Sequence, residues 1–183
     1  MGSLTLEPAQ SRLDLLAEPV AAALEVIPAD APFDGDQVLV APIDATLADT
    51  AAFCAAYGIR LDESANCVIV AGKRDGVTRY AACVILATTR ADVNGVVRRH
   101  LDVRKASFAP MEDAVRLTGM EYGGITPIGL PKDWPILVDS RIGAQPHVII
   151  GSGVRHSKIA IAGPALGALP NATVIDGLAR AVE

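Results

Sequence analysis

Aromatic side chains make up only 4% of the 183 residues, with Trp134 the single tryptophan. A protein that grips single-stranded nucleic acid by stacking bases on exposed rings needs more of them, so that mode is set aside. Cysteine is equally sparse. Cys54, Cys67 and Cys83 are odd in number, lack CxxC spacing and lie among apolar or small neighbours. The pattern excludes a disulfide framework and reads as buried, reduced thiols in a cytosol. His100, His147 and His156 stand apart with no HxxxH pairing, so neither a metal site nor a cofactor is expected. No apolar run approaches the ~20 residues that span a bilayer, and the first residues carry no signal-peptide pattern. A cytoplasmic location without a membrane partner follows as the expectation. Positive charge is in the minority, 16 Lys and Arg against 21 Asp and Glu, and the net charge of -5 argues against a general polyanion or DNA binder.

Catalytic signatures are also missing. There is no GxSxG elbow for a serine nucleophile and no GxxxxGK[ST] loop for nucleotide phosphates. Cys67 and Cys83 fall in apolar strands and read as core. A hydrolase built on this sequence would have to work by positioning a water.

Half of the chain, 51%, is apolar, and its length suits one well-buried core. We therefore expect one domain over residues 1–183, with 1–36 as a helical lead-in. Apolar residues recur at roughly helical spacing from Glu7 to Ile27, interrupted near Pro19. Residues 28–36 read as loop and 38–43 as a strand. Asp44 or Thr46 is the expected cap of a helix that ends at Tyr57 before Gly58. The clearest β signal is a pair of apolar runs, 67–71 and 80–87, around a polar turn at 73–76: a hairpin buried on both faces. Asp92 is placed to cap a helix through Leu101. A short strand follows at 105–108, and a helix over 111–118 is stopped by Gly119. Strands are expected at 136–139, 147–150, 158–161 and 174–175, the last before a terminal helix. Helices and strands do not alternate strictly, so an α/β (α+β) fold with an antiparallel or mixed sheet and packed helices is favoured over a doubly wound one.

Two glycine-rich stretches offer ligand-holding backbone. The first is TGMEYGGITPIG at 118–129 and the second GSGVRH at 151–156. Glycine admits φ > 0 and close approach of a substrate, and Pro127 fixes the far end of the first loop. An ordinary pair of tight turns is the alternative. Arg90, Arg98, Arg99, Arg104 and Lys105 cluster around one expected helix; Arg98 and Arg99 could grip a phosphate backbone, or the cluster could simply form a solvated face.

Read in order, these pieces resemble the YbaK/EbsC family, the editing-type domain also inserted in bacterial prolyl-tRNA synthetases and found as free-standing trans-editing proteins. The matching segments are the strand-turn-strand over 65–87, Ala91-Asp92-Val93-Asn94 before a helix, residues 105–109, the loop at 118–129, residues 136–139, and Gly151-Ser152-Gly153. They fall in the family's order between residues 65 and 153, and the family's GxxxP motif, here Gly123 to Pro127, is the specific part.

The resemblance implies a curved mixed sheet with surrounding helices and hydrolysis of the ester that joins a wrong amino acid to a tRNA of prolyl type. Gly123, Gly124, Ile125, Thr126, Pro127 and Asn66 would carry catalysis by orienting the ester and a water, with help from the tRNA's own terminal 2′-hydroxyl. Asp139, Gly151, Ser152, Gly153 and His156 would bind substrate. Arg98, Arg99, Arg104 and Lys105 would face the tRNA. Mischarged tRNA is the implied partner, with an aminoacyl-tRNA synthetase as a candidate second one, and the chain length suggests a free-standing, trans-acting protein. Two positions depart from the family pattern. Asn66 stands where a lysine is usual, and His156 where glycine is common. Lys73 cannot substitute for that lysine, because seven residues of strand span roughly 23 Å. A catalytically impaired tRNA- or synthetase-binding module, or a hydrolase for another small ester, therefore remains as an alternative.

Overall fold

The computed structural model describes residues 1–26 and 37–182. In chain order its elements begin with β1 (Glu7–Pro8), α1 (Glu18–Glu25), β2 (Leu39–Pro42), α2 (Thr50–Tyr57), β3 (Ala65–Arg74), β4 (Val77–Leu86) and β5 (Thr89–Ala91). They continue with α3 (Arg98–His100), β6 (Ala106–Phe108), α4 (Met111–Thr118), β7 (Ile136–Asp139), α5 (Ser140–Gly143), β8 (Val148–Gly151), β9 (Ser157–Ile161), α6 (Gly163–Gly167), β10 (Ala172–Ile175) and β11 (Ala179–Ala181).

The β3–β4 hairpin organises the fold. Its two-residue connection is Asp75-Gly76, both at positive φ (52° and 81°), the geometry that matches the twist of paired strands. β4 is central in a five-stranded sheet of order β10-β7-β4-β3-β6, parallel at β10–β7 and β7–β4 and antiparallel elsewhere. Alternation along β4 explains why its run is apolar throughout. Ala82, Val84 and Leu86 enter the larger core with Trp134 and Leu166, whereas Ala81, Cys83 and Ile85 enter a second core with Val97, Leu137 and Leu178. Trp134 stacks on Tyr80 at 4.9 Å between ring centroids.

A four-stranded antiparallel sheet, β1-β2-β9-β8, lies beside this one, and β5 and β11 pair separately. The mixed α/β architecture is the one expected. β6 covers β3 only over Val70–Gly72, which leaves the beginning of β3 open on that edge. A single parallel bridge, Ser64 to Ile149, joins the two sheets next to the gap.

Local expectations hold in part. α2 ends at left-handed Gly58 and α4 at left-handed Gly119, as glycine stop signals predict. The cap of α2 is Asp49, whose carboxylate accepts from Ala51 N at 3.1 Å; Asp44 closes only a one-turn 3-10 helix through Thr46 N. Asp92 accepts from Gly95 N at 3.1 Å and opens the turn that leads into α3.

The lead-in is not one helix. Glu7 and Pro8 pair with Val40 and Leu39, two 3-10 turns follow, and α1 starts only at Glu18. Pro19 opens that helix rather than interrupting it, since its missing N–H is harmless only in the first turn. Ile27 and residues 28–36 lie outside the described residues. The expected terminal helix is replaced by a turn and β11, because β5 and the Asp139 carboxylate, 2.9 Å from Ala179 N, take its backbone groups. Among the described residues no helix is long and apolar enough to cross a membrane.

Leu137 is 1% exposed in β7 and Val77 is 61% exposed at the hairpin tip. Leu137→Ala is expected to lower the unfolding free energy by about 2–5 kcal/mol. Val77→Ala should change it by less than about 0.5 kcal/mol. Urea denaturation of the two variants checks this contrast.

Candidate active site

The two glycine stretches are interlocked backbones. Glu121 N donates to Gly153 O at 2.8 Å, Gly153 N to Gly124 O at 2.7 Å, and Gly124 N to Glu121 O at 2.9 Å. There is no room for side chains between them. A Cβ on Gly151 would stand 2.3 Å from Gly124 O, and one on Gly124 would stand 2.5 Å from Val154 O. Gly123 and Gly153 both take φ of +86°, a conformation glycine adopts without strain. Arg155 clamps the pair from outside. Its backbone N–H donates to the Glu121 carboxylate at 2.6 Å, and its guanidinium donates to the carbonyls of Tyr122 at 3.1 Å and Ala45 at 3.2 Å.

Next to this interlock a cleft of about 530 Å³ opens where the uncovered edge of β3 diverges from β8. Asn66, Cys67 and Ile69 form one side, Ile149 and Gly151 another, and Asp49 and Thr50 at the start of α2 a third. Phe108, Met111 and Tyr122 also line it and are all more than half exposed.

Few polar groups converge on the space, each with defined partners. The Asn66 side-chain carbonyl accepts from Thr50 Oγ1 at 2.8 Å, which leaves the amide N–H groups for a ligand. Lys158 is 8% exposed; its ammonium donates to Ala48 O at 3.1 Å and lies 5.3 Å from the centre of the Phe53 ring. Burial holds its pKa below the ordinary lysine range. Gly124 N–H is spent within the loop and Thr126 N–H approaches Met120 Sδ at 3.5 Å. The N–H groups of Gly123 and Ile125, residues that line the cleft, have no acceptor among the described residues. Cys67 also lines it, yet burial and neighbouring Cys83 raise its thiol pKa, and burial pushes Cys83 up to about 12. Such thiols are poor nucleophiles.

Of the residues singled out in the sequence, the cleft gathers Asn66, Gly123, Ile125 and Gly151. Gly124, Thr126 and Pro127 are buried behind it, and the Thr126 hydroxyl has no partner. Ser152 is buried against Ser157, their hydroxyls 2.7 Å apart, and Gly153 packs on Ala17 and Val20. Asp139, 1% exposed, caps α5 through Arg141 N and ties down β11 through Ala179 N, away from the cleft lining. His156 is exposed. Arg99, Arg104 and Lys105 are exposed, Arg98 is half-buried with Nε on Asn94 O, and none of the four pairs with a carboxylate among the described residues. Nearby Asp102 is already taken by Arg74 and Arg79.

Sequence reasoning missed Lys158, Arg155, Asp49 and Thr50. Lys158 had a readable signal: it directly precedes the apolar run Ile159-Ala160-Ile161 in β9, which is buried on both faces, where a lysine is out of place.

Three comparisons bear on this site. The model of the aminoacyl-tRNA editing domain matches residues 44–169, which contain both loops and the whole cleft lining. Among solved structures, a candidate trans-editing enzyme for prolyl tRNA synthetase is 21% identical with a TM-score of 0.71, and the match covers 87% of this chain and 94% of that one. The hypothetical protein APE2540 is 21% identical with a TM-score of 0.67, covering 77% and 90%. A candidate signal transduction protein from Marinobacter aquaeolei VT8, 17% identical with a TM-score of 0.56, contains a similar unit: 88% of this chain matches 30% of that one. At these identities the likeness is one of fold. No curated protein matches the chain in sequence.

The interlock makes a graded prediction. Gly151→Ala meets a backbone carbonyl and is expected to lower stability by about 1–3 kcal/mol. Gly123→Ala meets only the end of the Arg155 side chain, at 2.6 Å, rather than backbone, and should cost less despite its positive φ. Thermal unfolding of the two variants gives the order.

Proposed function

Because the chain belongs to the aminoacyl-tRNA editing domain family, we propose that it is an aminoacyl-tRNA deacylase, acting in trans on a mischarged tRNA of prolyl type without a protein nucleophile. The observation that carries the reading is the donor-lined, nucleophile-poor cleft. The side-chain amide of Asn66 borders it, the N–H groups of Gly123 and Ile125 on its lining have no acceptor among the described residues, and burial raises the pKa of its thiol, Cys67.

An aminoacyl ester is already reactive. Water adds to its carbonyl carbon, the bond to the ribose oxygen breaks, and that oxygen takes up the proton the water gives up. The protein's task is to hold the ester and the water in line and to offer hydrogen-bond donors to the carbonyl oxygen as it gains charge. The exposed rings of Phe108 and Tyr122 on the lining give the terminal base an apolar surface. The exposed cations Arg99, Arg104 and Lys105, with Arg98, supply a face for the acceptor stem. Gly124, Thr126 and Pro127 act from behind by fixing the loop, and Gly151 by leaving space for it. Ser152, Gly153 and Asp139 support the surrounding backbone.

A second reading, a binding module without turnover, is favoured by one feature. Asn66 is neutral at the position where the family resemblance places a lysine, and Lys73 is exposed at the far end of β3. Deacylation assays over a panel of mischarged tRNAs, including prolyl and alanyl types, decide between the two. Turnover above the uncatalysed rate on at least one member is expected. Binding of tRNA without turnover, with activity appearing only in Asn66→Lys, would support the binding module.

A further inference from the structure

Lys158 combines burial, charge and position in a way its structural contacts do not explain. Its cross-strand neighbours in the antiparallel sheet are Gly151 on β8 and Ala41 on β2, both too small to shield it. It shares a sheet face with Ile149 and Ala160, which with Phe53 form a small apolar cluster. An ammonium carries three donors, and one is used, on Ala48 O. Among the described residues no carboxylate lies within ion-pair distance of Lys158 or of Arg155, the other cation of the cleft. The carboxylate on the lining, Asp49, acts on the ammonium only from beyond ion-pair distance and caps α2 through Ala51 N. A cation taken out of water without a carboxylate in contact is destabilising, and such a group on the wall of a cleft is placed to meet a ligand that supplies the negative charge.

We propose that Lys158 is a catalytic residue that touches substrate: its ammonium donates to the carbonyl oxygen of the scissile ester and holds the negative charge that develops there as water adds. This rests on the deacylase reading above. The step leaves the lysine unchanged. Water's oxygen bonds to the carbonyl carbon, the oxygen gains the displaced electron pair beside the ammonium, and collapse expels the ribose oxygen, which departs with the water's proton. Arg155 is not equivalent, because its guanidinium is already committed to Tyr122 O and Ala45 O. Asn66 offers a neutral donor from the opposite strand edge. The cleft thus draws its charge from β9 and a hydrogen bond from β3.

The test is kcat, KM and thermal unfolding of the full chain with Lys158→Met and Lys158→Gln, on the mischarged tRNA that the wild type deacylates best. Removing one donor to a developing oxyanion lowers kcat by about 100-fold or more. That loss is expected in Lys158→Met, with a smaller one in Lys158→Gln, little change in KM, and a Tm at or above wild type because the burial cost of the ammonium is gone. Three results overturn the proposal. One is a kcat within twofold of wild type in either folded variant; another is a loss of activity that only parallels loss of the folded state in both. In either case the deacylase reading survives. The third, no deacylation by the wild type on any substrate, overturns both together.

Discussion

The carbonyl oxygens of Gly124 and Ile125 occupy the space where a side chain on residue 151 would stand. This contact, backbone against backbone, fixes the first glycine loop relative to β8 and therefore relative to the four-stranded sheet. The hydrogen bonds linking Glu121, Gly124 and Gly153 lock it further, and the Arg155 clamp closes it from the solvent side. Without that approach the N–H groups of Gly123 and Ile125 would have no defined place beside the cleft. The loop's donors are rigid because the loop is a filled joint between two segments.

The second requirement is a wall for the joint to face. The hairpin supplies it, because β4 is buried on both faces and cannot shift without opening two cores. β3 inherits this rigidity along one edge, and its other edge, short of the three residues covered by β6, borders the cleft. Polar groups were added to this frame sparingly. Asn66 is oriented by Thr50, and Lys158 is held by one carbonyl and one aromatic face, with no carboxylate at ion-pair distance among the described residues. A cleft of this kind suits a reaction whose substrate brings its own reactivity and needs positioning.

Much of the frame was legible from local chemistry. The apolar runs on either side of Asp75-Gly76, the Gly58 and Gly119 stops, and the Asp92 cap are short-range signals, and each appears where the sequence places it. The lead-in was misread because helical spacing of leucines also fits successive 3-10 turns, and β1 forms only through a partner more than thirty residues away. The terminal strand was hidden for the same reason: Ala179 is fixed by β5 and by the Asp139 carboxylate. At the site, glycine spacing exposed the loops. It could not separate Gly123, which lines the cleft, from Gly124, which faces Val154, since that depends on which backbone approaches from outside. Lys158 has a local signal in the apolar run that follows it, but the groups that hold its ammonium, Ala48 O and the Phe53 ring, lie far away in sequence.

On the proposed function, the cleft between the β3 edge and the two interlocked loops receives the aminoacylated end of a tRNA. This placement is tested most directly by amide chemical-shift mapping of the isotope-labelled protein with a non-hydrolysable amide analogue of 3′-aminoacyl-adenosine. Perturbations are expected to concentrate at Asn66, Gly123, Ile125 and Gly151, with little change around Asp139 and His147. Perturbations centred away from those four residues, or no binding of the analogue at millimolar concentration, would contradict it.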